Sequence, residues 1–197
     1  MNPTYKAWLK RHFFTALIMS LCLIIYALFY VAPETSYQLF ITQIGETGSS
    51  FYLSLFTASL SHFDLYHLAM NLFGWLVMAS RIEVFKRSDL ILVFFLAGIA
   101  GNLAQYYASH GNFLGLSGVT YGLVGYLFWL QTLRKRVFFH LPNGFLYFAV
   151  VFMLAFWILP FFPNIANAAH FGGFVTGVVV AVIREQRLIR LKPAKQH

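Results

Sequence analysis

Charged residues are scarce in this chain. Lys and Arg together number 14 and Asp and Glu number 6, so only 10% of the 197 residues are charged, whereas 59% are hydrophobic and the mean hydropathy is +0.69. Soluble domains carry about 25% charged residues. The shortage excludes a soluble globular domain and predicts an all-α, polytopic membrane protein, because long apolar runs satisfy their backbone groups in lipid as helices.

Cysteine is nearly absent, and no stretch has the composition of an appended soluble domain or of an interdomain linker. Cys22 is the single cysteine and lies inside an apolar run, which excludes an intrachain disulfide. The net charge of +8 comes from short clusters between apolar runs and not from one basic face, so nucleic acid is not an expected partner. A single membrane domain over residues 1–197 is therefore predicted.

Six apolar runs have the length and composition of membrane-spanning helices. They cover residues 13–31, 65–80, 90–107, 117–133, 146–162 and 168–183. The first run follows basic residues as a signal peptide would, but no cleavage pattern follows it, so we interpret it as an uncleaved helix. The long connection after it is apolar and is expected to lie in the membrane interface.

Positive charge is confined to alternate ends of these runs. All 14 Lys and Arg residues lie before the first span, between spans two and three, between spans four and five, or after span six. The opposite loops contain Glu34, Glu46 and Asp64 but no Lys or Arg. Because basic residues collect on the cytoplasmic side, this pattern predicts six spans with both termini in the cytoplasm.

A glycine-flanked serine opens the fourth span, within the stretch from Asn112 to Gly125. Gly115 and Gly118 allow a tight bend around Ser117, whose place at a helix start suits a nucleophile. Tyr121 follows one turn later on the same face. A short Gly-x-Ser-Gly string is a weak signal, and Ser117 as a simple helix N-cap is the alternative.

Two other spans carry polar side chains, which are costly in lipid and usually face a functional interior. Span two contains His67 and Asn71, and span six contains His170 above a seam of small residues that suits close packing against the glycines of span four. At about 1.5 Å per residue, His67, His170 and Ser117 lie roughly 21, 21 and 26 Å from the basic ends of their spans. The three groups are therefore predicted to share one layer.

Together these motifs resemble the signature of the rhomboid intramembrane serine proteases. The motifs are Gly115-Leu116-Ser117-Gly118 with Tyr121, Ala169-His170 followed by Gly173 and Gly177, and His67 with Asn71. The resemblance covers the six-span core, in a short form without a soluble N-terminal domain. One departure is a first loop that lacks the Trp-Arg pair of several family members.

The resemblance implies a mechanism for each site residue. Ser117 would be the nucleophile and His170 the general base, as a dyad with Tyr121 packed against the imidazole. His67, Asn71 and the backbone N–H of Ser117 would stabilise the oxyanion, supported by the bend at Gly115. No metal or other cofactor is expected. The partners would be the lipid bilayer and single-span membrane substrates cut near the outer face of a bacterial inner membrane, and the oligomeric state is left open.

Two access routes are predicted for water and substrate. Water would enter through an opening lined by residues 109–112 together with Ser61 and His62, because non-helical backbone at this depth needs such a cavity. The resemblance implies that a substrate helix enters between spans five and two, where Met153 and Trp157 would face Met70 in a loose contact that acts as a gate.

Two other function classes are alternatives to a serine protease. A metal transporter or metalloprotease would use His67, His170 and His62, although no span carries a His-Glu-x-x-His pair or a carboxylate ligand. A catalytically inactive rhomboid-like binding protein would share the fold but lose the nucleophile or the base, and both Ser117 and His170 are present here.

Overall fold

The computed structural model describes residues 3–40, 49–109, 114–135, 141–158 and 165–190. Within these ranges all regular structure is helical, which confirms the all-α class. The α-helices are α1 (Pro3–Arg11), α2 (Phe13–Val31), α3 (Pro33–Phe40), α4 (Ser49–Thr57), α5 (Leu65–Ser109), α6 (Ser117–Leu127), α7 (Asn143–Ile158) and α8 (Asn167–Arg190). A 3₁₀ turn at Ala58–Leu60 follows α4, and a π-helical turn at Phe128–Leu133 extends α6.

Among the residues that the structure describes, three helices are long and apolar enough to cross a membrane, by length and composition. They are α2, α5 and the part of α8 from Asn167 to Glu185. The stretch Gly144–Ile158 of α7 is apolar but shorter. The domain extent and the count of six spans stay predictions, and residues 159–162 of the fifth predicted span lie outside the described part of the chain.

The helix α5 covers both the second and the third predicted spans. Its 45 residues are interrupted by Lys86, whose φ of −158° and ψ of 73° are not helical, so the chain changes direction there. Next to this kink, Glu83 accepts hydrogen bonds from the backbone N–H groups of Phe14 and Thr15 at 2.8 Å each, and it pairs with Arg87. A carboxylate at the start of α2 satisfies donors that a helix leaves unpaired.

The helix α6 forms the centre of the bundle. Gly118 and Gly122 are buried and face α8, and a Cβ atom added at Gly173 or Gly177 of α8 would overlap their carbonyl oxygens. The two backbones therefore touch without side chains between them, which is the packing that the glycine seam predicts. By contrast, α7 lies at the periphery, with the large side chains of Phe148 and many of its neighbours exposed.

Candidate active site

Ser117 and His170 meet where α6 and α8 begin. Ser117 is the first residue of α6, and His170 lies in the first turn of α8, with its backbone N–H bonded to the carbonyl of Ala166 at 3.1 Å. The distance between Ser117 Oγ and His170 Nε2 is 2.8 Å, and His170 is 7% exposed. With Nε2 as the acceptor, this is the hydrogen bond that lets an imidazole remove the proton of a serine hydroxyl.

The imidazole of His170 lies against the ring of Tyr121. The two ring centroids are 4.5 Å apart and the planes are tilted by 37°. Nδ1 of His170 is buried and has no hydrogen-bond partner among the residues that the structure describes. The orientation of the imidazole therefore depends on the Tyr121 ring and on Ser117, and not on a third polar side chain within the described ranges.

The bend before Ser117 requires glycine at position 115 for two reasons. Gly115 has a φ of +130°, a conformation that residues with a Cβ atom rarely adopt. A Cβ atom there would also lie 2.7 Å from Cε1 and 2.8 Å from Nε2 of His67. The His67 ring thus lies directly against the bend, which places an imidazole edge beside the start of α6.

Asn71 lies one turn after His67 on α5. Its Nδ2 donates a hydrogen bond of 2.9 Å to the carbonyl of His67, and the side chain is buried. An amide nitrogen carries two hydrogens, so this bond fixes the side chain and uses one of them. His67 itself is anchored at the helix start, where its backbone N–H donates to Oδ1 of Asp64 at 2.8 Å.

Residues between α4 and α5 support the bend at Gly115. The backbone N–H of Gly115 donates to the carbonyl of Ala58 at 2.9 Å, and that of Leu116 points to Nε2 of His62 at 3.4 Å. Burial, together with the nearby His67, lowers the pKa of His62 to about 3, so this ring is neutral near pH 7 and its nitrogen accepts.

Two buried amide side chains on α5, Gln105 and Asn102, support the site. Neither is among the site residues predicted from the sequence. Gln105 accepts the backbone N–H of Ala169, the residue before His170, at 3.2 Å. Asn102 donates from Nδ2 to the carbonyl of Leu55 at 2.6 Å and to the hydroxyl of Ser59 at 2.9 Å. Polar residues inside spans are usually functional, and this rule led to the prediction of Asn71. The same rule would also have indicated Gln105 and Asn102.

The predicted water opening is wrong for two of its residues. Ser61 is 0% exposed and His62 is 3% exposed, because Ser61 donates to the carbonyl of Thr57 at 3.2 Å and His62 packs against the Leu116 backbone. Both side chains are therefore part of the packed support behind the bend. Ser109 is exposed at the end of α5, and residues 110–112 lie outside the described ranges.

The predicted gate residues differ in their surroundings. Met153 is buried at 2% exposure, whereas Trp157 is 52% exposed and its ring centroid lies 5.5 Å from that of Phe171, the residue after His170. Met70 on α5 is 54% exposed. The structure thus gives Trp157 a neighbour on α8, and its role as a gate towards α5 stays a prediction.

The described part of the chain contains no candidate metal site. No three side chains of His, Cys, Asp or Glu lie there in an arrangement that could hold a metal ion. His62 and His67 are close, with ring centroids 5.1 Å apart. Nε2 of His62, however, already faces the backbone N–H of Leu116.

Comparison with known proteins gives one family. The Rhomboid domain model matches residues 49–187. The chain is 29% identical to the rhomboid protease GlpG of Pectobacterium atrosepticum over 170 residues, which are 84% of this chain and 61% of that protein. It is 30% identical over 173 residues to the proteins of the same name from Yersinia pestis and Yersinia pseudotuberculosis, with 85% of this chain and 61% of theirs covered.

The chain therefore spans about three fifths of the length of the curated relatives that it matches. The matched segment of the family model begins at α4 and extends into the last turns of α8, so it includes every residue of the site described above. The chain belongs to the rhomboid family of polytopic, helical membrane proteins.

Proposed function

We propose that this protein is an intramembrane serine endopeptidase that cleaves membrane proteins through a dyad of Ser117 and His170. The observation that carries the proposal is the 2.8 Å hydrogen bond between Ser117 Oγ and His170 Nε2, which joins two residues 53 positions apart. The rhomboid proteases among the relatives of this chain support the same reaction class.

In the proposed mechanism, Ser117 Oγ attacks the carbonyl carbon of the scissile peptide bond as His170 Nε2 takes the hydroxyl proton. The same imidazole then gives that proton to the leaving amine, which leaves an acyl-enzyme. Water deprotonated by His170 hydrolyses the ester and restores the free serine. Tyr121 keeps the imidazole plane in place during these proton transfers, because its ring covers one face of His170 at 4.5 Å.

Three donors are candidates for the negative oxygen that forms on the scissile carbonyl. They are the side chains of His67 and Asn71 and the backbone N–H of Ser117, which belongs to the unpaired donors at the start of α6. The close approach of the His67 ring to Gly115 supports this assignment, because it brings the imidazole beside the nucleophile. The hydrogen bond from Asn71 to the His67 carbonyl supports it by fixing the amide one turn away.

The position of the dyad along α6 suggests the substrate class. Ser117 begins the helix, whereas the basic residues Arg134 and Lys135 follow its other end. With the basic ends in the cytoplasm of a bacterial cell, the dyad lies towards the outer face of the inner membrane. The substrates are then single-span proteins whose outer segment unwinds, which Gly, Pro or polar residues favour. They enter from the bilayer past Met153 and Trp157 of α7.

Point variants of the dyad test the proposal. Ser117→Ala and His170→Ala are each expected to abolish cleavage of a single-span substrate by purified protein in detergent, because nucleophile and base act as a unit. Ser20→Ala is the matched control, since Ser20 is exposed on α2. Thermal melting establishes that each variant is folded. Substantial turnover by either folded dyad variant would overturn the mechanism.

Chemical labelling separates serine chemistry from the other function classes. A fluorophosphonate is expected to label wild-type protein at Ser117 and stop turnover, while EDTA leaves the rate unchanged, because the nucleophile is a hydroxyl and not metal-bound water. Loss of activity in EDTA that zinc restores would indicate a metalloprotease. A folded wild-type protein that neither reacts with the probe nor cleaves any substrate would indicate an inactive binding protein.

A further inference from the structure

The short helix α1 is amphipathic. At about 3.6 residues per turn, Tyr5, Trp8 and Leu9 fall on one side of the helix, within an arc of about 100°. The basic residues fall on the opposite side and are Lys6, Lys10 and Arg11. No acidic residue occurs in α1. A helix with an aromatic and aliphatic face and a face rich in Lys and Arg is typical of helices that lie in the plane of a membrane surface.

The rest of the bundle leaves the apolar side of α1 open. Tyr5 is 52% exposed and Trp8 is 39% exposed, while Leu9 is half-buried. The ring of Trp8 lies against that of His12, with the centroids 4.9 Å apart. Tyr and Trp are favoured at membrane–water interfaces, because the ring is apolar while its O–H or N–H stays hydrated. These side chains are therefore available to the head-group layer of a bilayer.

The basic side of α1 carries charge that no carboxylate offsets. Lys6, Lys10 and Arg11 are exposed, and none of them forms an ion pair within the described part of the chain. The acidic residues on the basic side of the predicted spans are each paired with another arginine, Glu83 with Arg87, Asp89 with Arg184 and Glu185 with Arg134. The three positive charges of α1 are thus free to attract an external anion.

A contact with α5 fixes the position of α1. Nη2 of Arg87 donates to the carbonyls of Lys10 at 3.2 Å and Arg11 at 3.3 Å, while its Nε pairs with Glu83. These carbonyls belong to the last turn of α1, where a helix has unpaired acceptors and a cation is favourable. The next residue, His12, has a φ of −118° and a ψ of 38°, so the chain bends between α1 and α2. The helix is therefore held against the bundle at this bend and is not a continuation of α2.

We propose that α1 lies in the plane of the membrane surface and binds anionic phospholipids. Tyr5, Trp8 and Leu9 enter the boundary between head groups and acyl chains, and the basic residues lie beside the phosphates of the anionic head groups. Each Lys or Arg next to an anionic membrane surface adds to the attraction. The proposal needs only α1 and its contact with Arg87, so it does not depend on the proposed protease activity.

Quenching of Trp8 fluorescence by brominated lipids tests the proposal on the full chain in vesicles. The vesicles contain equal amounts of phosphatidylcholine and phosphatidylglycerol, and bromine is placed near the head-group end of the acyl chains of one lipid or of the other, so the surface charge stays the same. The contribution of Trp8 is the difference between wild type and Trp8→Phe, which removes the signal of the other Trp residues.

We expect brominated phosphatidylglycerol to quench Trp8 severalfold more strongly than brominated phosphatidylcholine, because anionic lipids gather at the basic side of α1. Equal quenching by the two lipids would overturn the anionic partner. Absence of quenching by both would show that α1 lies outside the bilayer.

Charge variants locate the preference on α1. The combination of Lys6→Gln, Lys10→Gln and Arg11→Gln is expected to remove the preference, and Lys10→Gln alone is expected to reduce it. Lys135→Gln is the matched control for the single variant, since it removes an exposed positive charge just after the π-helical turn and is expected to leave the preference unchanged. Salt at about 1 M, where the Debye length is about 3 Å, is expected to weaken the wild-type preference without any substitution. A preference that survives both the triple variant and the added salt would overturn the proposal.

Discussion

The backbone contact between α6 and α8 makes the substitution Gly173→Ala a sharp test of the site geometry. A Cβ atom at Gly173 would overlap the carbonyl oxygen of Gly118, although real Cβ atoms essentially never approach other atoms closer than 3.0 Å. Neither backbone can rotate away, so the helices must separate by on the order of 1 Å. His170 precedes Gly173 by less than one turn, and its 2.8 Å bond to Ser117 would lengthen beyond hydrogen-bonding distance.

The expected effect is a loss of roughly 100-fold in kcat, because a displacement of about 1 Å in the reacting groups typically has that consequence. Overpacking of this kind also destabilises a protein by about 1–3 kcal/mol, which a thermal melt in detergent will register. Two further glycines make the series graded. A Cβ atom at Gly101 would lie 2.8 Å from the carbonyl of Ala169, and one at Gly144 would meet nothing within 4 Å.

The assay compares the initial cleavage rates of a single-span substrate by Gly173→Ala, Gly101→Ala and Gly144→Ala at a temperature below all three melting points. We expect a strong loss for the first, a smaller loss for the second, which needs a shift of only a few tenths of an ångström, and wild-type rates for the third. Wild-type activity and stability of Gly173→Ala would refute the contact between the two backbones. Equal losses in all three variants would show that the effect is not steric.

Four other substitutions probe the parts around the dyad. His67→Ala or Asn71→Ala is expected to reduce kcat by about 100- to 1000-fold without abolishing it, since each removes one oxyanion donor; wild-type rates from both would exclude them from the site. Asn102→Leu removes the two buried hydrogen bonds that the amide donates to Leu55 and Ser59 and is expected to lower stability by about 1–3 kcal/mol in a thermal melt; an unchanged melt would show that these bonds contribute nothing. Trp157→Ala is expected to speed cleavage of a membrane-embedded substrate but not of a short soluble peptide, by favouring an open state; equal losses on both substrates would show that Trp157 only supports the fold.

Local sequence signals predict the long apolar helices and single out the residues now proposed as the dyad, but they do not predict the short helices α1, α3 and α4. The run 13–31 has the same bounds as α2, because a continuous apolar stretch has no other way to satisfy its backbone in lipid. Glycines at helical spacing predict the contact between α6 and α8 in the same local way, since a seam of small residues on each helix favours close backbone approach.

Long-range polar contacts cannot be predicted from local signals. The bonds from Thr15 to Glu83 join residues 68 positions apart, and their partners follow from how the helices pack and not from spacing along the chain. The opening assigned to Ser61 and His62 is wrong for the same reason, because a polar side chain near the membrane surface can turn inwards towards a backbone group. The kink in α5 between the second and third predicted spans likewise involves a single non-helical residue, Lys86, which no local signal indicates.

The contact between α6 and α8 also bears on when the protein becomes active during its synthesis. Ser117 emerges from the ribosome 53 residues before His170, and the proposed base arrives only with the last described helix. Until α8 inserts beside α6, the glycines of α6 have no backbone to meet, and in the proposed mechanism the serine lacks its base. Under that mechanism, a nascent chain that stalls before α8 has no hydrolytic activity, and insertion of this helix completes both the packing and the proposed dyad in one step.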